Sequence, residues 1–195
     1  MTAVAPAAPR TLADVVVPRS VAADVALVVG FAALTALAAQ ITIPLPWTPV
    51  PITGQTFSVL VAGTVLGATR GSLSQLLYVA VGALGAPVYA DGNGGWEAAT
   101  GATGGYLVGF VLAAALVGAL ADRRQDRQLL TSLPAMLAGN AVIYALGVPW
   151  LAWNLGVSGT EAVGLGMAPF LVGDTVKLLA AGASAPAAWR LLRRN

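Results

Sequence analysis

Residues 21–43 read VAADVALVVGFAALTALAAQITI, a predominantly apolar stretch that carries one charge, Asp24. At about 1.5 Å of rise per residue, a helix of this length crosses the roughly 30 Å hydrocarbon core of a bilayer. It is the first of six such stretches, at residues 21–43, 54–69, 71–86, 104–121, 128–147 and 168–191. The second and third are short and meet at Arg70 and Gly71. The pattern predicts an all-α membrane protein with six transmembrane helices in contact with the lipid bilayer.

The composition leads to the same class of protein. Of the 195 residues, 57% are hydrophobic and 9% are charged, and the mean hydropathy is +0.80, which excludes a soluble globular protein. The net charge of +2 is too small for a nucleic-acid-binding protein. Without Cys or His, the chain has no disulfides, thiolate nucleophiles, His-ligated metals or Ser–His relays. It also lacks a phosphate-binding loop, so we expect neither ATP hydrolysis nor a cofactor.

The positions of the basic residues predict the orientation in the membrane. Nine of the ten bases lie in the tails or after the second and fourth stretches: Arg10, Arg19, Arg70, Arg123, Arg124, Arg127, Arg190, Arg193 and Arg194. Because such residues accumulate on the cytoplasmic side, we expect both termini to be cytoplasmic and Asp91, Glu97 and Glu161 to lie outside. Residues 1–20 are then a cytoplasmic N-terminal tail, and residues 21–195 a six-helix transmembrane substrate-binding domain.

Two of the predicted outer connections have unusual compositions. Residues 43–55, IPLPWTPVPITGQ, contain four prolines, which remove hydrogen-bond donors and favour an extended backbone. Residues 87–103 are long and rich in glycine, and they include Tyr89 and Trp96. Long loops in a compact protein are usually functional or disordered, so we expect these connections to cover a site.

Asp174 and Lys177 lie inside the sixth apolar stretch. Their i, i+3 spacing places both on one face of a helix, where they can pair. A charged side chain at this depth costs at least a few kcal/mol unless it is paired, and such residues usually serve a function. The two residues are therefore candidates for a ligand site, and the alternative is an ion pair that only fastens the helix.

Five other polar residues fall in the same outer half of the predicted bundle, at the depth of this pair: Gln40, Gln55, Tyr78, Tyr106 and Asn140. Lipid offers no hydrogen-bond partners, so these groups must find partners inside the bundle. A single polar layer below two unusual loops predicts a ligand cavity that opens to the outside. Interhelical hydrogen bonds are the alternative for each residue taken alone.

Small residues recur four positions apart in three of the stretches: Ala32 and Ala36, Gly63 and Gly67, Gly105 and Gly109. This spacing lets two helices approach closely, either within the chain or against another membrane protein.

Five segments, in this order along the chain, carry a family resemblance: TPVPITGQ (48–55), GAPVY (85–89), GNGG (92–95), TGGYLVGF (103–110) and GDTVK (173–177). Together they closely resemble the biotin-specific S components, the BioY family, of energy-coupling factor transporters. The resemblance covers nearly the whole chain. It implies a six-helix S-component bundle in the bacterial plasma membrane. Such a subunit captures biotin and works with a membrane-embedded T component and two ATPase subunits that drive uptake.

The resemblance also assigns roles to individual residues. Asn93, Asp174 and Lys177 match the polar ligands of the vitamin. Gln55 belongs to the family's Val-Pro-x-x-x-Gln motif, and Tyr106 to its Gly-Gly-Tyr motif. Asp174 can accept a hydrogen bond from a ureido N–H, and Lys177 can donate to the ureido oxygen or to the carboxylate.

The remaining candidates complete the expected site. Tyr89, Trp96 and Tyr106 are available as aromatic walls, and Asn140 joins the polar layer. Some family members carry a basic residue directly after the motif tyrosine, where this chain has Leu107. By analogy with similar faces in the family, Ala32 and Ala36 are expected to dock the T component.

Three other functions stay open at this point. An S component for another vitamin has the same architecture. A small membrane enzyme is a further alternative, although zinc proteases and rhomboid-type hydrolases need the absent histidine. A channel would carry polar residues along the whole length of one bore, whereas the polar layer here stops about halfway.

Overall fold

The computed structural model describes residues 11–192, and within them the regular secondary structure is helical apart from one short β-hairpin. The helices are α1 (Leu12–Val16), α2 (Val21–Ala39), α3 (Gln55–Ala83), α4 (Trp96–Thr100), α5 (Gly104–Asp122), α6 (Leu129–Leu155), α7 (Gly159–Gly166) and α8 (Leu171–Leu192). Strands β1 (Thr42–Ile43) and β2 (Ile52–Thr53) pair antiparallel. Three 3₁₀ turns lie at Ala90–Gly92, Gln125–Arg127 and Ala168–Phe170.

Four helical segments among the described residues are long and apolar enough to cross a membrane: Val21–Ala39, Gly104–Asp122, Leu129–Leu155 and Gly159–Leu192. They overlap the first, fourth, fifth and sixth predicted stretches, so the chain is a helical membrane protein. The second and third predicted stretches both fall within α3.

Helix α3 turns back on itself at Gly67, where φ is +81° and ψ is −178°. This left-handed backbone is accessible to glycine but strained for other residues. A Cβ atom at Gly67 would also lie 2.6 Å from Oδ1 of Asp122 at the end of α5. The boundary between the two stretches is therefore at Gly67, and the predicted boundary at Arg70 and Gly71 was wrong.

The two arms of α3, residues 55–66 and 68–83, run antiparallel. Near the open end, Nε2 of Gln55 donates a hydrogen bond to the hydroxyl of Tyr78 at 2.7 Å. Near the turn, a Cβ atom on Gly71 would lie 3.0 Å from Cα of Gly63. The arms thus form a close-packed helical hairpin, and the small residues at its turn allow the contact.

The predicted end of the first stretch, Ile43, was also wrong, because α2 ends at Ala39. Ile43 belongs to β1 and pairs with Ile52 of β2. Residues 41–43 are Ile-Thr-Ile, and their hydropathy extended the predicted helix although β-branched residues favour a strand. The prolines between the two strands have no N–H donors, so the hairpin ladder stays short.

Helix α6 continues eight residues beyond the predicted end at Gly147, through Pro149 to Leu155. A proline usually ends or kinks a helix, but in membrane helices other partners can satisfy the freed backbone groups. In α6, side-chain hydrogen bonds to another part of the chain hold the last turns in place. The indole of Trp150 donates to the carbonyl of Gly101 at 2.9 Å, and Asn154 donates to that of Thr100 at 3.4 Å.

The hairpin of α3 and helix α5 form the centre of the bundle. A Cβ atom on Gly63 would lie 2.6 Å from the carbonyl oxygen of Ala114, and one on Gly118 would lie 2.4 Å from the nitrogen of Ala68. Helix α6 packs on α5, α8 packs on α6 and α3, and α2 packs mainly on α3. Small residues therefore set the closest approaches in the centre.

Arginine side chains collect at the end of the bundle that contains the α3 turn. Arg70 binds Asp14 at 2.7 Å and Asp24 at 3.0 Å, and it thereby ties α1 and α2 to that turn. Burial alone would raise the pKa of Asp14, but hydrogen bonds from Arg70 and Arg19 outweigh it and lower this pKa to about 2. We call this end, with Arg70, Arg123, Arg124, Arg127 and Arg190, the basic end.

Residues 1–10 and 193–195 lie outside the described residues, and so do the predicted positions of Arg10, Arg193 and Arg194. Within the predicted tail of residues 1–20, residues 12–16 form α1, with Leu12 and Ala13 buried against the bundle.

Candidate ligand-binding site

A cavity of about 80 Å³ lies at the end of the bundle opposite the basic end. Because one water molecule needs roughly 10–15 Å³ of such volume, the cavity has room for a handful of water molecules. It is lined by Val50, Pro51, Thr53, Gln55, Thr56, Tyr89, Ala90, Thr103, Tyr106, Leu107, Phe110, Ile143, Tyr144, Phe170, Asp174 and Lys177. The lining residues come from the β-hairpin, from the start of α3, from the connection that contains Tyr89, from the 3₁₀ turn that contains Phe170, and from α5, α6 and α8.

Asp174 is the most constrained polar group in the cavity, with a side chain that is 5% exposed. Its Oδ1 accepts hydrogen bonds from Thr56 at 3.1 Å and from Lys177 at 2.7 Å. Its Oδ2 accepts a short hydrogen bond from the hydroxyl of Tyr144. Helices α3, α6 and α8 each contribute one donor, which compensates the cost of removing a carboxylate from water.

Lys177 has two partners, Oδ1 of Asp174 and the hydroxyl of Thr56 at 3.2 Å. The ammonium group has three donors, so one remains for a further acceptor. The carboxylate of Asp174 offers about four acceptor positions, of which three are used. The pair is therefore electrically neutral and keeps about one free donor and one free acceptor position.

Gln55 is held between two neighbours at the start of α3. Its Oε1 accepts a hydrogen bond from Thr53 at 2.8 Å, and its Nε2 donates to Tyr78 at 2.7 Å. Tyr78 packs edge-on against Tyr89, with ring centroids 5.6 Å apart. Gln55 thus has a fixed orientation on one wall of the cavity.

Aromatic side chains form much of the opposite wall. Tyr106 packs edge-on against Tyr144, with ring centroids 6.5 Å apart, and its hydroxyl donates to the carbonyl of Gly166 at 2.7 Å. A Cβ atom on Gly147 would lie 2.3 Å from the Tyr106 ring, and one on Gly166 would lie 2.3 Å from its hydroxyl. The ring therefore depends on glycines in two neighbouring helices for its space.

The two outer connections are linked to each other above the cavity. Thr42 donates to Asp91 at 2.6 Å, and Gln40 donates to the carbonyl of Tyr89 at 3.1 Å. Thr48 at the tip of the β-hairpin donates to the carbonyl of Leu165 in the last turn of α7 at 2.8 Å. These hydrogen bonds hold the hairpin over the cavity. Burial raises the pKa of Tyr89, which keeps its phenol protonated as a donor to Val79.

Five of the eight predicted binding residues line the cavity: Gln55, Tyr89, Tyr106, Asp174 and Lys177. Asn93 does not line it: the side chain is exposed and donates to the carbonyl of Ala90 at 2.9 Å. Trp96 is 71% exposed. Asn140 is buried one helical turn from Tyr144, and its Oδ1 has no hydrogen-bond partner among the described residues. A ligand role for each of the eight residues stays a prediction.

Two polar residues that donate to Asp174 were not predicted from the sequence: Thr56 and Tyr144. Tyr144 lies four residues after Asn140 and therefore on the same helical face, so the signal was present in the spacing. Thr56 directly follows Gln55 at the start of α3. A short hydroxyl side chain in an apolar helix carries little information by itself, because it often bonds to its own backbone.

Two positions of the Gly-Asn-Gly-Gly segment require glycine because of the backbone geometry of the loop. A Cβ atom on Gly94 would lie 2.2 Å from the carbonyl oxygen of Ala86. Gly95 has a φ of +92°, and its amide donates to the carbonyl of Gly82 at 2.7 Å. These contacts bring the loop against the end of α3 and place Tyr89 and Ala90 in the cavity wall.

The small-residue face of α2 has two different environments. Ala32 is 7% exposed and packs against the bundle. Ala36 is partly buried, and both alanines line an apolar groove of about 500 Å³ between α2 and the second arm of α3. Leu37, beside it, is 68% exposed. Docking through this face stays a prediction.

These features define a class: a helical membrane protein with a covered cavity, apolar walls and one neutral ion pair. The sequence profile described as the BioY family matches residues 9–194. The chain belongs to the BioY family, as the resemblance predicted.

Curated relatives and a solved structure agree with this assignment. The "Probable biotin transporter BioY" of Pyrococcus horikoshii is 44% identical over 156 residues, which cover 80% of this chain and 90% of that protein. The "Biotin transporter BioY" of Thermotoga maritima is 41% identical over 152 residues, covering 77% and 86%. A crystal structure of the S-component for biotin from an ECF-type ABC transporter has the same fold, with a TM-score of 0.68 and 23% identity over 88% of this chain and 89% of that one.

The ion pair leads to a prediction about stability. Asp174→Asn leaves the Lys177 ammonium group without its counter-ion, and we expect the free energy of unfolding to fall by about 3–5 kcal/mol. The double variant Asp174→Asn/Lys177→Met removes both charges and should recover most of this loss. Unfolding of the detergent-purified variants can be followed by tryptophan fluorescence, with Glu161→Gln on exposed α7 as the control. A double variant as unstable as the single one would contradict the pairing argument.

Proposed function

We propose that this chain is the substrate-capture (S) subunit of an uptake transporter for biotin in a bacterial plasma membrane. Its relatives are named as biotin transporters, and a protein with the same fold is described as the S-component for biotin. In this proposal the chain binds the vitamin from outside and catalyses no reaction.

One observation carries the proposal: the neutral pair of Asp174 and Lys177 in an otherwise largely apolar cavity. Biotin presents a ureido group with two N–H donors and one carbonyl acceptor. The unused acceptor position of Asp174 fits one N–H, and the unused donor of Lys177 fits the carbonyl. Asn93 is proposed for the second N–H, because it lies three residues from Ala90 in the cavity wall.

The apolar walls suit the rest of the vitamin. Phe110, Ile143 and Phe170 can contact the sulfur ring and the valeryl chain. Lys177 is the one cation among the cavity-lining residues, and it is already paired with Asp174. Leu107 lines the wall where some family members carry a base. We therefore propose that the carboxylate of biotin stays near the cavity mouth, where water can solvate it.

The β-hairpin and the connection of residues 87–103 together form the cover of the cavity. Biotin can enter only if this cover opens, because the cavity of about 80 Å³ is smaller than the vitamin needs. Three contacts close the cover: Thr42 with Asp91, Gln40 with Tyr89, and Thr48 with Leu165. All three are hydrogen bonds between loops or between a loop and a helix end, and each contributes about 1 kcal/mol. Their exchange for contacts with the ligand is the proposed loading step.

We expect the detergent-purified chain to bind one biotin per chain without ATP, as measured by isothermal titration calorimetry. Asp174→Asn/Lys177→Met should weaken binding at least roughly tenfold to a hundredfold, the loss expected for charge-assisted hydrogen bonds. A biotin amide that lacks the carboxylate charge should bind almost as well as biotin.

Thiamine and riboflavin serve as controls in the same titration. Binding of one of these vitamins instead of biotin would overturn the ligand but keep the S-component class. Normal biotin binding by the double variant would show that the pair only holds the helix, and the site would then move toward Asn93 and Gln55.

We propose six membrane crossings, formed by α2, the two arms of α3, α5, α6 and α8, with both termini in the cytoplasm. The asymmetry of charge supports this orientation, since the arginines collect at the basic end. Tryptophans lie toward the cavity end, where Trp47, Trp96 and Trp153 are exposed, as in the aromatic belt at a membrane interface.

Single cysteines on this cysteine-free background test the orientation. An impermeant thiol reagent applied to intact cells should label Asp91→Cys and Glu161→Cys but not Arg124→Cys. All three positions should react in opened membranes, which controls for burial. Labelling of position 124 but not of 91 in intact cells would invert the proposed topology.

The proposed partners are a membrane-embedded T component and two ATPase subunits. The exposed face of α2 supports a lateral membrane partner, since α2 packs mainly on α3 while Val25, Val29 and Leu37 are exposed. We propose that the groove at Ala36 receives the T component. Ala32 contributes by its small size, which keeps the groove open.

A bulky side chain at Ala36 tests this docking. Ala36→Trp should abolish ATP-driven biotin uptake in cells that express the complete transporter, while biotin binding to the isolated chain stays near normal. Leu112→Trp on the exposed face of α5 is the matched control and should leave both properties intact. Ala32→Trp is less suitable, because Ala32 is buried in the bundle. Equal loss of uptake and binding in Ala36→Trp would assign this face to internal packing.

A further inference from the structure

A second polar site lies at the basic end, in a groove between the start of α6 and the end of α8. The groove measures about 400 Å³ and is lined by Arg127, Gln128, Leu129, Leu130, Trp189 and Arg190. We propose that this groove binds the phosphate group of an anionic phospholipid.

The wall of the groove is held rigidly. The guanidinium of Arg127 lies 3.4 Å from the ring centroid of Trp189, a cation–π contact. The indole N–H of Trp189 donates a short hydrogen bond to Asp126, which is 2% exposed. Arg127 is therefore positioned before any ligand arrives, and an anion would bind without having to order this side chain.

Two further groups give the groove an affinity for phosphate. Arg190 is exposed and lines the same groove. Helix α6 has 27 residues, and its N-cap, Gln128, makes no side-chain cap hydrogen bond. The amides of Leu129 and Leu130 lie in its first turn, where N–H groups have no carbonyl partner in the helix. Two arginines and the positive end of a long helix thus converge on one groove.

The nearby carboxylates are engaged in other contacts. Asp126 contacts Trp189 and lies 3.6 Å from Nε of Arg127. Asp122 accepts the amide of Ala68 at 3.2 Å, at the turn of α3. Arg123 and Arg124, exposed in the same loop, add further positive charge. The groove therefore retains an excess of positive charge that favours an anion.

The apolar part of the lining identifies the kind of anion. Leu130 is 86% exposed and Leu129 is 42% exposed, in the first turn of an apolar helix. Exposed leucines directly beside arginines match the boundary between head groups and acyl chains, and basic pockets of this kind between membrane helices bind anionic lipids. A free phosphate ion would gain nothing from the leucines, whereas a phospholipid uses both parts.

Native mass spectrometry of the full chain tests the proposal. The purified protein is titrated with phosphatidylglycerol or phosphatidylcholine of equal chain length, and with inorganic phosphate in a third series. We expect one phosphatidylglycerol per chain to be retained, in preference to phosphatidylcholine. Arg190→Gln should weaken this binding about fivefold, the effect of one basic residue at an anionic surface. Leu130→Gln should weaken it as well.

Arg123→Gln is the matched control, because it removes another exposed arginine of the basic end that does not line the groove. It should change the affinity less than Arg190→Gln. Equal effects of the two variants would overturn the proposal in favour of a diffuse basic surface. Equal retention of both lipids would overturn it in favour of apolar binding without recognition of charge. Displacement of phosphatidylglycerol by inorganic phosphate would overturn it in favour of a free-anion site. Biotin binding at the far end should be unchanged in each variant.

Discussion

Asp174 is a carboxylate buried among membrane helices, and the arrangement of the cavity depends on how it is compensated. Lipid cannot solvate it, so its partners must come from the protein. Thr56, Tyr144 and Lys177 supply one donor each, from α3, α6 and α8. Any shift of one of these helices would break a hydrogen bond to a buried charge, which costs more than a neutral bond. The carboxylate thereby fixes the relative positions of three helices around the cavity.

This arrangement is possible only because the helices approach closely elsewhere. Glycines at positions 63, 71 and 118 bring the arms of α3 against each other and against α5, and Gly147 and Gly166 make room for the ring of Tyr106. Membrane helices gain little from hydrophobic burial, so such contacts supply much of the packing energy. The same glycines determine where the cavity can exist, because a side chain at Gly147 would displace an aromatic wall. Packing and ligand geometry are therefore set by the same residues.

Much of this structure could be predicted from the sequence, and the exceptions have identifiable physical causes. A charged pair at helical spacing inside an apolar stretch is costly, so Asp174 and Lys177 were found directly. Tyr144 was missed although it lies four residues after Asn140, which places both residues on one face of α6. Hydropathy could not separate the strand residues 42–43 from a helix or detect the turn at Gly67, where a left-handed backbone decides the geometry. The predicted end of the fifth stretch at Gly147 was too early, because the carbonyls of Gly101 and Thr100 accept from Trp150 and Asn154 and hold the helix beyond Pro149.

The charged residues at the two ends of the bundle differ in how many of their hydrogen-bonding positions are occupied. At the basic end, Arg70 is surrounded by the partners Asp14, Asp24 and Thr11, which fasten α1 and α2 to the bundle. At the cavity end, Asp174 and Lys177 have enough partners to be stable in an apolar layer but retain about one acceptor and one donor position. A fully satisfied pair would have nothing to offer a polar ligand, and an unsatisfied one would destabilise the bundle. A site that folds empty and still binds needs this intermediate state, and three donors on one carboxylate provide it.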